Sequence, residues 1–298
     1  MSNILLKKNK FQNIGISGKY YKIFHFLYRK IYFWLKFRGY NVFLEDKLLQ
    51  VKIEENIFSS IEKIGKNSDL IIVFGGNGNM LRVAKSIARY NKKIIGINTG
   101  NLGFLMDLNP KTAIKYLSEI LIGNFFEEKR IILKAEICLN CYKKKKEIAI
   151  NEIILHAKKI ASMIDYEVYI NDVFSFSQRS DGLIISTPTG STAYSLSSGG
   201  PIIHPSMDAI ILNSIFPHNF FYRTIVIHGN SKIKLKVFST FKKVLITLDG
   251  RSTIPIASKQ EILIYKSKYF INFIHPKNFN YFRILKKKLC WSKSSFDL

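Results

Sequence analysis

The sequence predicts a doubly wound α/β domain at the N-terminus and an all-β, β-sandwich-like domain after it. Three observations carry this. Strand-like and helix-like patterns alternate through the first third, as in a parallel sheet with crossover helices. From about residue 128 short strand-like runs separated by turns replace them. The 298 residues, 47% hydrophobic and 22% charged, have globular composition and length for about two domains of roughly 100–200 residues. That composition excludes wholesale disorder and a bare coiled coil.

In chain order, residues 13–17 read as a short apolar strand ending at Gly18. Residues 20–37 have helical spacing rich in aromatics, Lys and Arg. They read as a helix packed on a sheet rather than a basic membrane-surface helix. Gly39 stops this helix, 40–44 reads as a strand and 57–64 as a helix. Residues 70–74, Leu-Ile-Ile-Val-Phe, are a continuous apolar run suited to a strand buried on both faces. A helix over 80–90, a strand over 93–97 and a helix over 112–122 complete the first domain. In the second, strands are expected over 131–138, 146–156, 165–170, 182–186, 224–227, 232–237, 244–248 and 261–265. The Lys143 to Lys146 run is placed in a solvated hairpin turn.

The formal charge is +25, with a pI of about 9.8. Only nine of the 46 basic residues are Arg, the residue suited to planar recognition of phosphates and bases, and the lysines lie in scattered short runs. No nucleic-acid role is therefore expected, although a positive field helps recruit anionic nucleotides. Three cysteines cannot form a disulfide scaffold, which points to a reduced, cytoplasmic setting. Cys138-x-x-Cys141 has no second pair to close a zinc site. The six histidines form no H-E-x-x-H and read as structural or surface residues. The opening residues carry a three-residue apolar run, short of the roughly 7–15 of a secretory signal. No stretch reaches the ~18 apolar residues of a membrane span.

Two segments could carry chemistry. Gly75-Gly76-Asn77-Gly78-Asn79 lies between the buried strand and a helix start. Glycines let backbone N–H groups surround an anion, and the helix N-terminus adds a favourable dipole. The segment is neither a G-x-x-x-x-G-K-[ST] loop nor a dinucleotide fingerprint, because Leu81 stands where the third Gly would be. The second segment, 180–201, runs from an apolar strand into hydroxyls and small residues that suit the oxygens and nitrogens of a nucleotide. Ser191 lacks the G-x-S-x-G setting of a nucleophile. Asn151 and Glu152 open another apolar strand, where Asn suits an adenine edge or ribose hydroxyls or serves as a cap.

Together these segments resemble the NAD kinases, most closely the bacterial ATP-dependent ones. The resemblance runs from Ile14-Gly15 to Trp291-Ser292-Lys293. It rests on 177–201, on Ile97-Asn-Thr-Gly-Asn-Leu-Gly-Phe-Leu105 and on Ala149-Ile-Asn-Glu152. It implies transfer of the ATP γ-phosphoryl group, with Mg²⁺ or another divalent cation, to the 2′-hydroxyl of the adenosine ribose of NAD. It also implies a homo-oligomer, a dimer or tetramer, and no metal ligands from the protein itself. The expected domains are 1–128 with about 276–298, and 129–275. By the same resemblance Gly75, Gly76, Gly78 and Asn79 would bind phosphate. Asn77, Gly78, Asn151, Glu152, Arg179, Asp181, Thr192, Ala193, Tyr194, Ser195, Leu196, Ser197 and Arg251 would bind NAD. The family motif is Gly-Gly-Asp-Gly-Asn, whose Asp takes the proton of the attacking hydroxyl. Here that position is Asn77, and a neutral amide cannot take a proton. An Asn-Gly pair is also prone to deamidation, which would return an aspartate there. Two other classes stay open on the sequence alone: a catalytically impaired NAD-binding protein, and a basic nucleic-acid binder.

Overall fold

The structure is a computed structural model that describes residues 11–53, 57–100, 103–140, 143–159, 162–219, 221–238 and 244–291. The chain divides into two compact units, residues 1–129 with 271–298 and residues 130–270.

Five strands run parallel in the first part of the first unit: β1 (Asn13–Gly18), β2 (Asn41–Glu45), β3 (Phe58–Ser59), β4 (Leu70–Gly75) and β5 (Lys93–Asn98). Their spatial order is β5-β4-β1-β2-β3, a doubly wound arrangement with its ligand side at the strands' carboxyl ends. Four helices accompany them: α1 (His25–Phe37), α2 (Ile61–Asn67), α3 (Asn77–Ile87) and α4 (Ala113–Leu121). All six residues of β4 are buried. Leu70, Ile72 and Phe74 share one apolar cluster with Tyr28, Ile31 and Leu35 of α1 and Leu117 and Ile120 of α4.

The expected helix over 57–64 is corrected: residues 58–59 pair with β2, and α2 starts only after Ser60, whose hydroxyl accepts the Lys63 N–H at 3.4 Å. The helix expected over 80–90 begins three residues earlier. Gly76 caps it, so the glycine-rich segment itself makes the first helical turn.

The second unit is mostly β: β6 (Phe125–Asn140), β7 (Lys143–Ala149), β8 (Glu152–Ala157), β9 (Ile164–Ile170), β10 (Val173–Ser186), β11 (Ala209–Pro217), β12 (Ile225–His228), β13 (Ile233–Val237), β14 (Val244–Leu248), β15 (Ser252–Ile256) and β16 (Glu261–Pro276). A short helix, α5 (Tyr194–Ser197), lies between β10 and β11. The strands run β15-β14-β8-β10-β9-β13-β16, with β11 on β10 and β12 on β11. Alternate residues of β13 and β14 are buried, the pattern of strands with one face on a core.

Three further expectations are corrected here. The strand expected over 146–156 is two strands broken at Ile150-Asn151, where the backbone turns to the Asp249 side chain. Lys143 to Lys146 begin β7 rather than a turn. Among the described residues β7 pairs with β6 alone, and lysines suit such an edge. β11, β15 and the outer half of β10 were not foreseen. β15 carries Pro255, which demotes a strand signal and fits its place at the sheet edge. Cys141 lies outside the described residues, while Cys138 and Cys290 are free thiols.

The division between units falls inside β6 and inside β16. The second boundary is Phe270/Ile271 rather than about 276, because Asn272 and Phe273 of β16 pair in parallel with Lys93 and Ile94 of β5. A final helix, α6 (Tyr281–Lys288), is capped by the Asn280 side chain. No helix among the described residues is long and apolar enough to cross a membrane.

Candidate functional site

In the first unit the site is the turn from β4 into α3. Gly75 has φ +141°, a conformation open to glycine. Its carbonyl accepts the Thr99 N–H at 3.0 Å. Asn77 is the first residue of α3, and its Oδ1 accepts the Leu105 N–H at 3.2 Å. Only the amide oxygen can meet that N–H, so Nδ2 is the group left for Asn77 to present. Gly103 lies so near that a β-carbon there would come within 2.0 Å of Asn77 Oδ1. Asn79 donates from Nδ2 to the Phe74 carbonyl at 3.5 Å, so its side chain braces the turn.

Sequence reasoning missed the charged group beside the carboxyl ends of β1 and β2. Arg82 of α3 holds Glu45 through two contacts of 2.6 and 2.7 Å. Ser17 Oγ adds a third at 2.5 Å and the Gly18 N–H a fourth at 3.2 Å. Burial alone would raise the Glu45 carboxyl, but these donors outweigh it and hold it below the ordinary carboxylate range. The pair sits 37 residues apart in sequence, and only the fold brings it together.

In the second unit, three segments meet at Asp249. Its carboxylate accepts the backbone N–H groups of Ile150 at 2.9 Å, Asn151 at 2.8 Å and Glu152 at 3.3 Å. Thr187 donates to the Ile150 carbonyl at 2.6 Å and accepts the Gly190 N–H at 3.1 Å. Ser191 donates to the Pro188 carbonyl at 2.7 Å and accepts the Ile203 N–H at 3.1 Å, a loop-building role rather than that of a nucleophile. Against this dense bonding, three buried polar atoms have no partner within the chain: Asn151 Oδ1, Glu152 Oε2 and Ser195 Oγ. Each such atom costs about 1–3 kcal/mol when left unpaired, a cost that a ligand or water meeting it would relieve. Burial, then the Asp249 charge, pushes the Glu152 carboxyl up to about 8. Near neutral pH it is therefore protonated, with one O–H donor and an acceptor.

Asp181 and Tyr194 line one cavity of about 280 Å³ with His156, Ile154 and Thr247. His156 donates from Nδ1 to the Ala157 carbonyl at 2.9 Å, and its Nε2 faces Thr247 Oγ1 at 2.9 Å. The sequence reading had set this histidine aside as structural; nothing in its immediate neighbours signalled the cavity. Thr192, Ala193, Leu196 and Ser197 surround Tyr194 on the 190–197 turns but do not line that cavity. Arg179 is exposed, 3.8 Å from Asp165, and Arg251 is exposed on the β14–β15 turn.

Comparison with known proteins agrees along most of the chain. Residues 14–125 match the ATP-NAD kinase N-terminal domain and residues 150–276 the ATP-NAD kinase C-terminal domain. An NAD kinase of Wigglesworthia glossinidia brevipalpis is 51% identical over 271 residues, covering 91% of this chain and 92% of the relative. One from Sodalis glossinidius is 47% identical, covering 96% and 99%. An Archaeoglobus fulgidus NAD kinase solved in complex with ATP has a TM-score of 0.73 at 25% identity, covering 94% of this chain and 99% of that one. A yeast NADH kinase complexed with NADH has a TM-score of 0.85 at 22% identity, covering 99% and 94%, a likeness of fold.

Proposed function

The chain belongs to the NAD kinase family of phosphotransferases, and we propose that it moves the ATP γ-phosphoryl group to the 2′-hydroxyl of the adenosine ribose of NAD. The orphaned atoms Asn151 Oδ1, Glu152 Oε2 and Ser195 Oγ carry the reading, because a ligand with matched donors and acceptors would complete them. An amide and a protonated carboxyl each offer a donor and an acceptor, matching an adenine edge or ribose hydroxyls. Tyr194 and Asp181 would bound the dinucleotide from their cavity, with Thr192, Ala193, Leu196 and Ser197 shaping its wall. Arg179 and Arg251, exposed and cationic, would meet its phosphates.

Gly75, Gly76, Gly78 and Asn79 at the head of α3 would hold phosphate through backbone N–H groups and the helix dipole. Asn77 would donate from Nδ2 to the ribose oxygen without taking its proton. Phosphoryl transfer rests mainly on positioning and charge stabilisation, so turnover proceeds without that base at a reduced rate. Among the described residues no group of three His, Cys, Asp or Glu side chains is placed to hold a metal. A divalent cation would arrive as part of the nucleotide substrate, on its phosphates. We place the enzyme in the cytoplasm as a homo-oligomer, a state that size-exclusion chromatography reads directly.

The test is the rate of NADP formation from NAD and Mg-ATP by the encoded protein and by Asn77→Asp. A carboxylate at 77 keeps one oxygen on the Leu105 N–H and frees the other as a base. The variant is expected to be faster by about 10²- to 10⁴-fold, the range of a general base. A peptide mass at Asn77 separates this from deamidation. Failure of both proteins to make NADP overturns the reading.

A further inference from the structure

The returning C-terminal strand contributes one buried group that the chemistry above does not use. His275, near the end of β16, has a side chain 1% exposed. Its Nδ1 contacts Asp107 Oδ2, and its Nε2 lies 3.2 Å from Glu128 Oε2. Those carboxylates are themselves 7% and 6% exposed. The ring stacks on Phe279 with centroids 3.8 Å apart, between Phe126 and Phe273 at 6.1 and 6.2 Å. The imidazole is hydrogen-bonded at Nδ1, faces a second carboxylate at Nε2 without a hydrogen bond of its own there, and is stacked on its face. The strand that carries it is tied to β5 through Asn272 and Phe273, and Asn272 Nδ2 donates to Asn91 Oδ1 at 2.6 Å.

Asp107 is two residues from Leu105, whose N–H holds Asn77 Oδ1. The segment between them is anchored at its far end, where Leu108 and Asn98 exchange backbone bonds with β5: Leu108 N to the Gly96 carbonyl at 3.0 Å and Asn98 N to the Leu108 carbonyl at 2.8 Å. At its near end Gly103 is packed against the Asn77 amide. The segment meets the C-terminal strand where Asp107 Oδ2 accepts from His275 Nδ1.

We infer that His275 is a positioning residue for the phosphate turn: through Asp107 it fixes segment 103–107, and through the Leu105 N–H and Gly103 it sets where the Asn77 amide points. The inference rests on the role proposed for Asn77. A misplacement of about 1 Å at a reacting centre costs on the order of 10²-fold in rate, so a contact three links away can act on turnover.

The variants are His275→Asn, whose amide falls near Nδ1 and keeps a donor for Asp107, and His275→Gln, whose amide falls near Nε2 and keeps only the Glu128 side. Both preserve polarity and approximate size. Expected is a kcat at saturating NAD and ATP within about threefold of the parent for His275→Asn, and a fall of at least tenfold for His275→Gln. KM for ATP should change less than kcat. Deuterium exchange at the Leu105 amide should speed up in His275→Gln and stay near the parent rate in His275→Asn. A purely structural histidine would lower both melting temperatures and leave kcat of the folded protein unchanged. The inference is overturned if His275→Gln turns over within twofold of the parent, or if His275→Asn is as slow as His275→Gln. Asn77→Ala, assayed alongside, separates the two failures. If it too leaves kcat unchanged, the site reading falls and this inference with it; if it is slow while His275→Gln is not, only the inference falls.

Discussion

The phosphate turn of the first unit and the Asp249 junction of the second hold buried carboxylates in opposite ways. Glu45, beside the phosphate turn, is saturated by Arg82, Ser17 and Gly18. Glu152, at the junction, keeps one oxygen unpartnered and faces a second carboxylate rather than a cation. In the first region the buried carboxylate is met by a cation and two further donors, although Thr99 Oγ1 beside the turn is unpartnered. In the second the backbone donors go to Asp249, and the neighbouring carboxyl Glu152 keeps an oxygen without a partner.

The most direct way to break this contrast is the same substitution in both regions. A β-carbon on Gly190 would come within 2.2 Å of the Asn151 carbonyl oxygen, a backbone atom. On Gly103 it would meet Asn77 Oδ1, the end of a side chain. Gly103→Ala is expected to cost on the order of 10²-fold in kcat by displacing Asn77, with little change in melting temperature. Gly190→Ala is expected to cost about 1–3 kcal/mol from overpacking, read as an earlier melting transition. Melting curves and initial rates on both variants decide it. An early-melting Gly103→Ala, or a Gly190→Ala that is slow yet as stable as the parent, would erase the distinction.

A second prediction concerns Asp249 itself. Asp249→Ala strands three backbone N–H groups and is expected to cost about 3 kcal/mol, since each donor left unpaired costs about 1 kcal/mol or more. Asp249→Asn keeps one oxygen and should recover about half. Urea unfolding of the pair measures it, and equal losses would mean the carboxylate is not what closes the junction.

The smallest expected effect is one of pH. Burial raises the Glu152 carboxyl from its ordinary value near 4.5 to about 8. Its contribution to stability is complete below about pH 4.5 and is lost as pH rises through about 8. Glu45 is lowered, so its contribution is complete above its unfolded value and is lost as pH falls through its folded one. Glu152→Gln should therefore gain melting temperature relative to the parent between pH 5 and 9. Glu45→Gln should lose most near neutral pH and least in acid. Parallel melting curves for both variants at all pH values would refute the contrast.

What could be read from the chain follows from how local each feature is. β4, the glycine turn and the head of α3 are one continuous stretch, so their periodicity and glycine spacing suffice to place a strand-to-helix turn there. Asn151, Glu152, Asp181 and 190–197 were singled out through residue types that suit a nucleotide and through the resemblance. Their closure by Asp249 was not, because an aspartate in a tight turn looks the same whether or not it caps a distant strand. The same holds for Glu45 with Arg82, for His156 in its cavity, and for His275 with Asp107, 168 residues apart.

The sequence by itself determined the alternation of elements, the family, and the presence of an amide rather than a carboxylate at position 77. Each is written in residue order or in the identity of one side chain. Only the tertiary structure decided which carboxylates are satisfied, which polar atoms are left for a ligand, and which way the Asn77 amide faces. Those depend on desolvation and on single hydrogen bonds between residues far apart in the chain, and a linear pattern does not encode them.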